Sequence, residues 1–161
     1  MMQNIYRIVF ISLVLISSSN AEDINLEERV SSVLELVKKK RTDLDDLKII
    51  VPSQYDDWGR KIIKDYKYSF VESFDMNDDQ IVDVFIASYS SKHNKSYLIV
   101  STREGPIAIQ KIIEFSYPQL CFSKTKNKKI LRVISVLGSE LEGDLLWENN
   151  KFVFKPYEPD Y

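Results

Sequence analysis

Short apolar segments with a period of two fill the chain from Tyr68 onward, and this pattern constrains the fold more than any other feature. β-branched and aromatic residues dominate these segments, and clusters of turn-forming residues separate them. We therefore predict strands at residues 68–74, 82–89, 96–102, 107–115, 130–137, 144–148 and 151–155. The last two predicted strands flank Asn149-Asn150, which is typical of a two-residue hairpin turn with positive φ.

The residues before this region predict helices. One helix is expected over residues 25–40, with a second, short helix within residues 53–66 and a short strand at Lys48 to Val51 ended by Pro52. The apolar positions of the first helix fall on one face at helical spacing: Leu26, Val30, Val33, Leu34 and Val37. The predicted fold is α+β, an N-terminal amphipathic helix packed on an antiparallel β-meander of about seven strands.

The first 21 residues have the pattern of a secretory signal peptide. Arg7 precedes an apolar run from Ile8 to Ile16, and small residues, Ser19 and Ala21, stand before the expected cleavage site. The apolar run is too short to span a membrane, which needs about 20 apolar residues. We predict a signal peptide at residues 1–21, a single α+β domain at residues 22–161, a periplasmic or secreted location, and no stable membrane insertion after cleavage.

Charge and cysteine content exclude several classes of protein. The net charge is −2 in 161 residues, so the strongly basic face expected of a nucleic-acid-binding protein is missing. Cys121 is the single cysteine, which leaves no intramolecular disulfide even in an oxidising compartment. Its neighbours, Leu120 and Phe122, predict a buried and unreactive thiol.

An acidic loop interrupts the first two predicted strands and is the candidate binding site. The run Asp75-Met76-Asn77-Asp78-Asp79-Gln80-Ile81-Val82-Asp83 sets side-chain oxygens at relative positions 1, 3, 5 and 9. Hard cations such as Ca²⁺ bind oxygen ligands presented at this spacing, with a main-chain carbonyl at position 7. Position 6, which ordinarily carries glycine because the turn needs φ > 0, is Gln80 in this chain.

This loop resembles the strand–loop–strand calcium hairpin of FG-GAP and VCBS repeats, with the pattern D-x-[DN]-x-DG-x-x-D before an apolar strand. The resemblance spans Phe74 to about Tyr89 and implies that the side chains of Asp75, Asn77, Asp79 and Asp83 and the carbonyl of Ile81 bind a structural Ca²⁺. It also implies that Asp78 points outward. The motif occurs once, so the propeller architecture of FG-GAP proteins does not carry over. The alternative is an ion-free turn closed by Asp and Asn side chains.

Other combinations of reactive residues are sparse. Asp56-Asp57 and the group Glu140, Glu142 and Asp144 are paired carboxylates of the kind that serve glycoside hydrolysis. His93 is the single histidine and lies in a polar turn, which excludes a histidine-based zinc site. We predict no catalytic residues and no cofactor other than Ca²⁺. The aromatic residues are expected to lie mostly in the core, with a recognition patch as the alternative: Tyr55, Trp58, Tyr66, Trp147, Tyr157 and Tyr161.

These observations favour an exported, non-catalytic domain that binds another protein, of the inhibitor or immunity type, with a structural Ca²⁺ hairpin. A hydrolase that uses a carboxylate pair or a calcium-assisted site is one alternative. A structural component of the cell envelope is another. A cleft that gathers carboxylates with raised pKa would favour the hydrolase, whereas exposed aromatic side chains on a convex surface would favour protein binding.

Overall fold

The fold combines helices with antiparallel strands. The structure, a computed structural model, describes residues 25–103, 105–116, 119–123, 125–127, 129–135 and 143–157. Within these residues, helix α1 covers 25–40, helix α2 covers Asp57–Tyr66, and two 3-10 turns cover Thr42–Leu44 and Pro52–Gln54. The strands are β1 (Lys48–Ile49), β2 (Val71–Phe74), β3 (Asp83–Ser90), β4 (Lys95–Thr102), β5 (Ile109–Phe115), β6 (Leu120–Ser123), β7 (Ile130–Ser135), β8 (Gly143–Glu148) and β9 (Lys151–Pro156).

The strands form two sheets. Sheet A has the order β1-β3-β4-β5. β1 and β2 pair with the same edge of β3: β2 pairs with its first half, and β1 pairs near its C-terminal end. Sheet B is a meander in the order β6-β7-β8-β9. Every pairing is antiparallel. The two sheets meet at an isolated bridge between Ser69 and Phe122, where each N–H donates to the other residue's carbonyl, at 3.0 Å and 2.8 Å.

Sheet A is buried on both faces and therefore lies in the middle of three layers. Alternate residues of β3 and β4 point to opposite sides of the sheet, and both strands are buried along nearly their whole length. One face packs on α1 through Val84, Ile86, Tyr97 and Ile99. The other face packs on sheet B, and this intersheet core includes Phe85, Ala87, Leu98, Val100, Phe122, Val133 and Leu145.

The predicted single meander is wrong, because the described residues form nine strands that divide into two sheets. A single sheet with one helix would have left the face that carries Phe85 and Val100 open to water, and sheet B covers that face instead. The sequence reading also missed β6, whose Leu-Cys-Phe-Ser run has no alternation because three of its residues are fully buried.

Several local predictions are confirmed. Asn149 and Asn150 have φ of 51° and 59° and join β8 to β9, with Glu148 paired to Lys151 at the closing position. The short helix expected within residues 53–66 is α2. The signal-peptide prediction for residues 1–21 lies outside the described residues. Neither α1 nor α2 has the length and apolar content that a helix needs to cross a bilayer.

Candidate functional site

The acidic loop joins β2 to β3 as a hairpin. The ladder between these strands ends at the pair Phe74 and Asp83, so Asp75 is the first loop residue and Asp83 the first residue of the returning strand. The loop is thus held by a strand on each side, which distinguishes it from the helix-flanked EF-hand.

The loop's own backbone N–H groups turn its carboxylates inward. Gln80 N–H donates to Asp75 Oδ2 at 3.0 Å, and Ile81 N–H donates to Asp79 Oδ1 at 2.8 Å. Asp79 N–H donates to Asn77 Oδ1 at 3.2 Å, while the Asn77 amide donates to Asp79 Oδ2 at 2.9 Å. Three of the five predicted ligand residues, Asn77, Asp79 and Ile81, therefore belong to one local hydrogen-bond network, and Asp75 bonds separately to Gln80.

The backbone of the loop has the conformation that the calcium pattern demands at its sixth position. Gln80 has φ of 68°, in the left-handed region that glycine usually occupies. Asp78 has φ of 59°, and its side chain is exposed and forms an ion pair with Lys129 on the β6–β7 turn. Asp78 therefore points away from the other carboxylates.

Asp83 is a buried carboxyl group at the base of the loop. Its side chain is 1% exposed, and it accepts hydrogen bonds from Met76 N–H at 3.2 Å and from the Gln110 amide at 3.3 Å. Burial raises the pKa of Asp83 to about 6; the Met76 and Gln110 bonds oppose this rise, and the nearby charges of Asp79 and Asp75 add to it. Negative charge is thus concentrated where a cation would relieve it.

Asp75 adds a second unrelieved oxygen to this site. Its Oδ1 is buried and has no hydrogen-bond partner among the described residues. A buried carboxylate oxygen without a donor is costly, and a cation would satisfy it. The ligands are nevertheless not gathered into a finished shell: among the described residues, no three histidine, cysteine, aspartate or glutamate side chains converge as a metal site. The Ile81 side chain is exposed; the predicted Ca²⁺ ligand at this residue is its main-chain carbonyl oxygen.

The carboxylates considered for hydrolysis have structural partners. Asp56 caps α2 by accepting from Gly59 N–H at 2.8 Å, and Asp57 forms an ion pair with Arg60. Asp144 accepts from Arg132 at 3.2 Å and from the Tyr157 hydroxyl at 2.8 Å. Glu140 and Glu142 lie outside the described residues.

The remaining reactive side chains also serve the fold. His93 Nε2 lies 2.8 Å from the Asp43 carbonyl oxygen, which ties the β3–β4 turn to the first 3-10 turn. Cys121 is fully buried, and burial raises the pKa of its thiol to about 12, so the unreactive form predominates at neutral pH.

Sequence reasoning underestimated the exposure of the aromatic residues on α2. Trp58 is 57% exposed and Tyr66 is 67% exposed, although they were expected in the core. They stand eight residues apart, with Ile62 midway, so all three lie along one side of the helix. We call Trp58, Ile62 and Tyr66 the α2 aromatic face. The signal available in the sequence was the aspartate directly before each of them, Asp57 and Asp65, which is compatible with an exposed position as well as with a core position.

The expectation for the other aromatic residues is partly correct. Tyr55 is buried, and Trp147 packs edge-on against Phe152 with ring centroids 4.8 Å apart. Tyr157 is 43% exposed and lies against Arg132, whose guanidinium carbon is 5.4 Å from the ring centroid. Tyr161 lies outside the described residues.

Comparison with known proteins adds no relative: no protein-family model, no curated protein and no solved structure matches this chain.

Proposed function

We propose that this protein is an exported, non-catalytic domain of the inhibitor or immunity type, which binds another protein through the α2 aromatic face. Export is supported by the signal-peptide pattern of residues 1–21. Intact-mass measurement of the exported protein tests it, because cleavage between Ala21 and Glu22 gives a chain that begins at Glu22. A product that retains Met1 contradicts export by this route.

One observation carries the binding proposal, namely the exposure of Trp58 and Tyr66 on one side of a short surface helix. Large aromatic side chains are enriched among the residues that contribute most to protein–protein affinity, because they bury much area and lose little conformational entropy. Tyr66 is also preorganised, since its ring stacks on Tyr68 with centroids 5.6 Å apart. Ile62, between them, packs against the intersheet core and anchors the helix.

The charges around this face are mixed, with a small positive excess. Lys61, Lys64 and Lys67 are exposed, and so is Asp65, whereas the chain as a whole has a net charge of −2. Arg60 is held by an ion pair with Asp57 and also donates to the Tyr55 carbonyl. A partner with a negative surface would be steered toward α2 rather than toward the acidic hairpin.

Site-specific photocrosslinking in the source organism tests the proposal. Trp58 and, separately, Tyr66 are replaced by p-benzoyl-phenylalanine, and the exported fraction is irradiated. We expect the same discrete adduct from both positions, because both side chains face the partner. Tyr157, which is aromatic and 43% exposed but directly follows β9 of sheet B, is the matched control and should give no adduct of that mass.

A second variant separates binding from folding. Trp58→Ser should leave the melting temperature within about 2 °C of the wild type, because substitutions of exposed residues usually change stability by less than about 0.5 kcal/mol. The same variant should lose the adduct formed at position 66. Equal crosslinking from positions 58, 66 and 157, or none from 58 and 66, would rule out the α2 aromatic face as the binding surface.

We also propose that the acidic hairpin binds a structural Ca²⁺ through Asp75, Asn77, Asp79, Asp83 and the Ile81 carbonyl. The support is the unpartnered Asp75 Oδ1 together with the buried Asp83 carboxyl group. An ion bound only by the folded state adds RT ln(1 + [L]/Kd), about 1.4 kcal/mol at 1 mM Ca²⁺ for a Kd of about 10⁻⁴ M. For a domain of this size, the melting temperature should rise by about 3–6 °C.

Variants within the loop test this site. Asp75→Ala and Asp79→Ala should abolish the Ca²⁺-dependent rise, whereas Asp78→Ala should keep it because Asp78 points away toward Lys129. Gln80→Gly should bind Ca²⁺ more tightly, since glycine adopts φ of 68° without the strain of a side chain. If millimolar Ca²⁺ leaves the melting curves of both the wild type and Gln80→Gly unchanged, the hairpin is an ion-free turn.

A further inference from the structure

The outer edge of β5 is the longest strand edge of sheet A without a partner in the described part of the chain. β5 is seven residues long and pairs there with β4 alone. Gln110, Lys111 and Glu114 are exposed, while Ile112 and Ile113 are half-buried. An exposed strand edge offers unpaired N–H and C=O groups to another strand.

The hydrogen bonds of β3 determine which backbone groups of sheet A face outward. Ala87 N–H donates to Phe70 O at 2.8 Å, and Ala87 O accepts from Ile50 N–H at 3.0 Å, so the Ala87 backbone faces β1 and β2. Successive residues of a strand alternate in direction. The backbone of Ile86 therefore faces β4, where its partner is Ile99.

The same alternation continues across β4 into β5. Because Ile99 faces β3, Leu98 faces β5, where it is paired with Ile113. Ile113 therefore bonds back to β4, and the backbone groups of Ile112 and Glu114 point away from the sheet. These are the groups that a further strand could use.

The corresponding edge of sheet B, along β9, ends in a proline. Glu148 and Lys151 close a two-residue hairpin and form its hydrogen-bonded pair, so Phe152, Phe154 and Pro156 are the β9 residues whose backbone faces outward. Proline has no N–H, so Pro156 shortens the outward edge of β9 at its C-terminal end. β5 has no proline, so the two sheets differ in their ability to accept a strand.

We infer that β5 pairs in antiparallel fashion with β5 of a second copy of this chain, around a two-fold axis through Ile113. In an antiparallel pair, a residue whose backbone groups face outward must stand opposite another such residue. Outward residues alternate along β5, so the two-fold axis must pass through a residue and not between two residues. An axis through Lys111 would oppose two ammonium groups. An axis through Ile112 would use Gln110, which lies at the irregularity where the β4–β5 register shifts.

An axis through Ile113 avoids both the opposed ammonium groups and the use of Gln110. Ile112 pairs with Glu114 of the second copy on both sides of the axis, Ile113 faces Ile113, and Lys111 faces Phe115. Glu114 also has an ion-pair partner on its own sheet, Lys95, which balances its charge in the joined sheet. In this register Ile113 packs on Ile113, and no like charges stand opposite each other.

Cysteine crosslinking tests the register. Ile113→Cys places two thiols opposite each other in a pair whose Cα atoms are about 4.5 Å apart. Lys111→Cys, on the same face of the same strand, places them about 14 Å apart. The native Cys121 is buried and common to both variants. We expect Ile113→Cys to form disulfide-linked dimers at least about ten times faster under mild oxidation, and equal rates would overturn the register.

Sedimentation equilibrium of the protein expressed from its full-length sequence tests the dimer itself. Ile112→Pro removes an outward N–H that β4 does not use, so the fold should persist while dimer affinity falls about thirtyfold with the loss of half of the inter-copy backbone hydrogen bonds. Ile113→Pro removes an N–H that bonds to β4 and should unfold the protein. A wild-type protein that remains monomeric at 1 mM, or an Ile112→Pro variant that dimerises normally, would overturn the inference.

Discussion

Asp46 links the β3–β4 turn to the segment that follows α1, and its removal should show how far one carboxylate stabilises this fold. Its Oδ1 accepts from the Ser90 hydroxyl at 2.7 Å, and its Oδ2 accepts from the Ser91 hydroxyl at 2.9 Å and from Lys92 N–H at 2.7 Å. Ser90 is fully buried, so loss of the carboxylate would leave its hydroxyl without this acceptor.

The magnitude follows from the pKa of this group. Burial disfavours the Asp46 carboxylate, but the Lys92 N–H and the two serine hydroxyls outweigh burial and lower the pKa from 3.8 to about 2. A shift of this size corresponds to about 2–3 kcal/mol, which solvent screening of a partly exposed group reduces to about 1–2 kcal/mol. Because the folded pKa lies below the unfolded one, this stabilisation is complete above about pH 4 and is lost as the pH falls toward 2.

Urea unfolding of Asp46→Asn and wild type at pH 7, 5, 4 and 3 measures this contribution. We expect a difference of about 1–2 kcal/mol in the free energy of unfolding at pH 7, and a smaller one at pH 3. Asp45→Asn is the control: Asp45 forms an exposed ion pair with Lys92 at 3.3 Å, which should contribute less than about 0.5 kcal/mol. A difference for Asp46→Asn that stays constant from pH 7 to pH 3 would refute the electrostatic explanation.

Two further substitutions have opposite expected signs. In Gly143→Ala the new Cβ would lie 2.4 Å from Phe154 Cζ and 2.7 Å from the Lys155 carbonyl oxygen, so thermal unfolding should show a loss of about 1–3 kcal/mol, of which Phe154→Leu in the same chain should recover part. Tyr55→Phe removes a buried hydroxyl that has no hydrogen-bond partner among the described residues. Urea unfolding should therefore show unchanged stability or a gain of up to about 1 kcal/mol. A loss above about 1 kcal/mol would mean that the hydroxyl does have a hydrogen-bond partner.

The acidic loop shows how far the sequence predicts a candidate site. The spacing of its Asp and Asn residues was sufficient to predict a hairpin, and the structure has Gln80 at positive φ where the pattern requires a left-handed residue. The burial of Asp83, which raises its pKa, was not predictable from the loop, and one of its hydrogen-bond donors, Gln110, lies on another strand. Residues distant in sequence thus determine the electrostatics of a loop whose backbone is determined locally.

Recognition surfaces were predicted less well. Trp58 and Tyr66 are large aromatic residues of the kind often found in a core. Their exposure depends on where α2 lies relative to the intersheet core. On the same helix Gly59 and Ile63 are buried and Ile62 is half-buried against the intersheet core, so burial along α2 does not follow residue size. Residue type alone does not indicate which side of a short helix meets the core.

Turn chemistry and alternation were enough to predict most strands, because they depend on backbone preferences and on neighbours a few residues apart. The Asn149-Asn150 hairpin and the boundaries of β3, β4, β8 and β9 agree with the sequence reading to within one residue. The tertiary structure alone decided that these strands divide into two sheets joined at Ser69 and Phe122. The physical reason is that strands are arranged so that whole apolar faces are buried. β3 and β4 carry apolar residues on both faces, so one face needs α1 and the other needs sheet B, and no local sequence pattern specifies this arrangement.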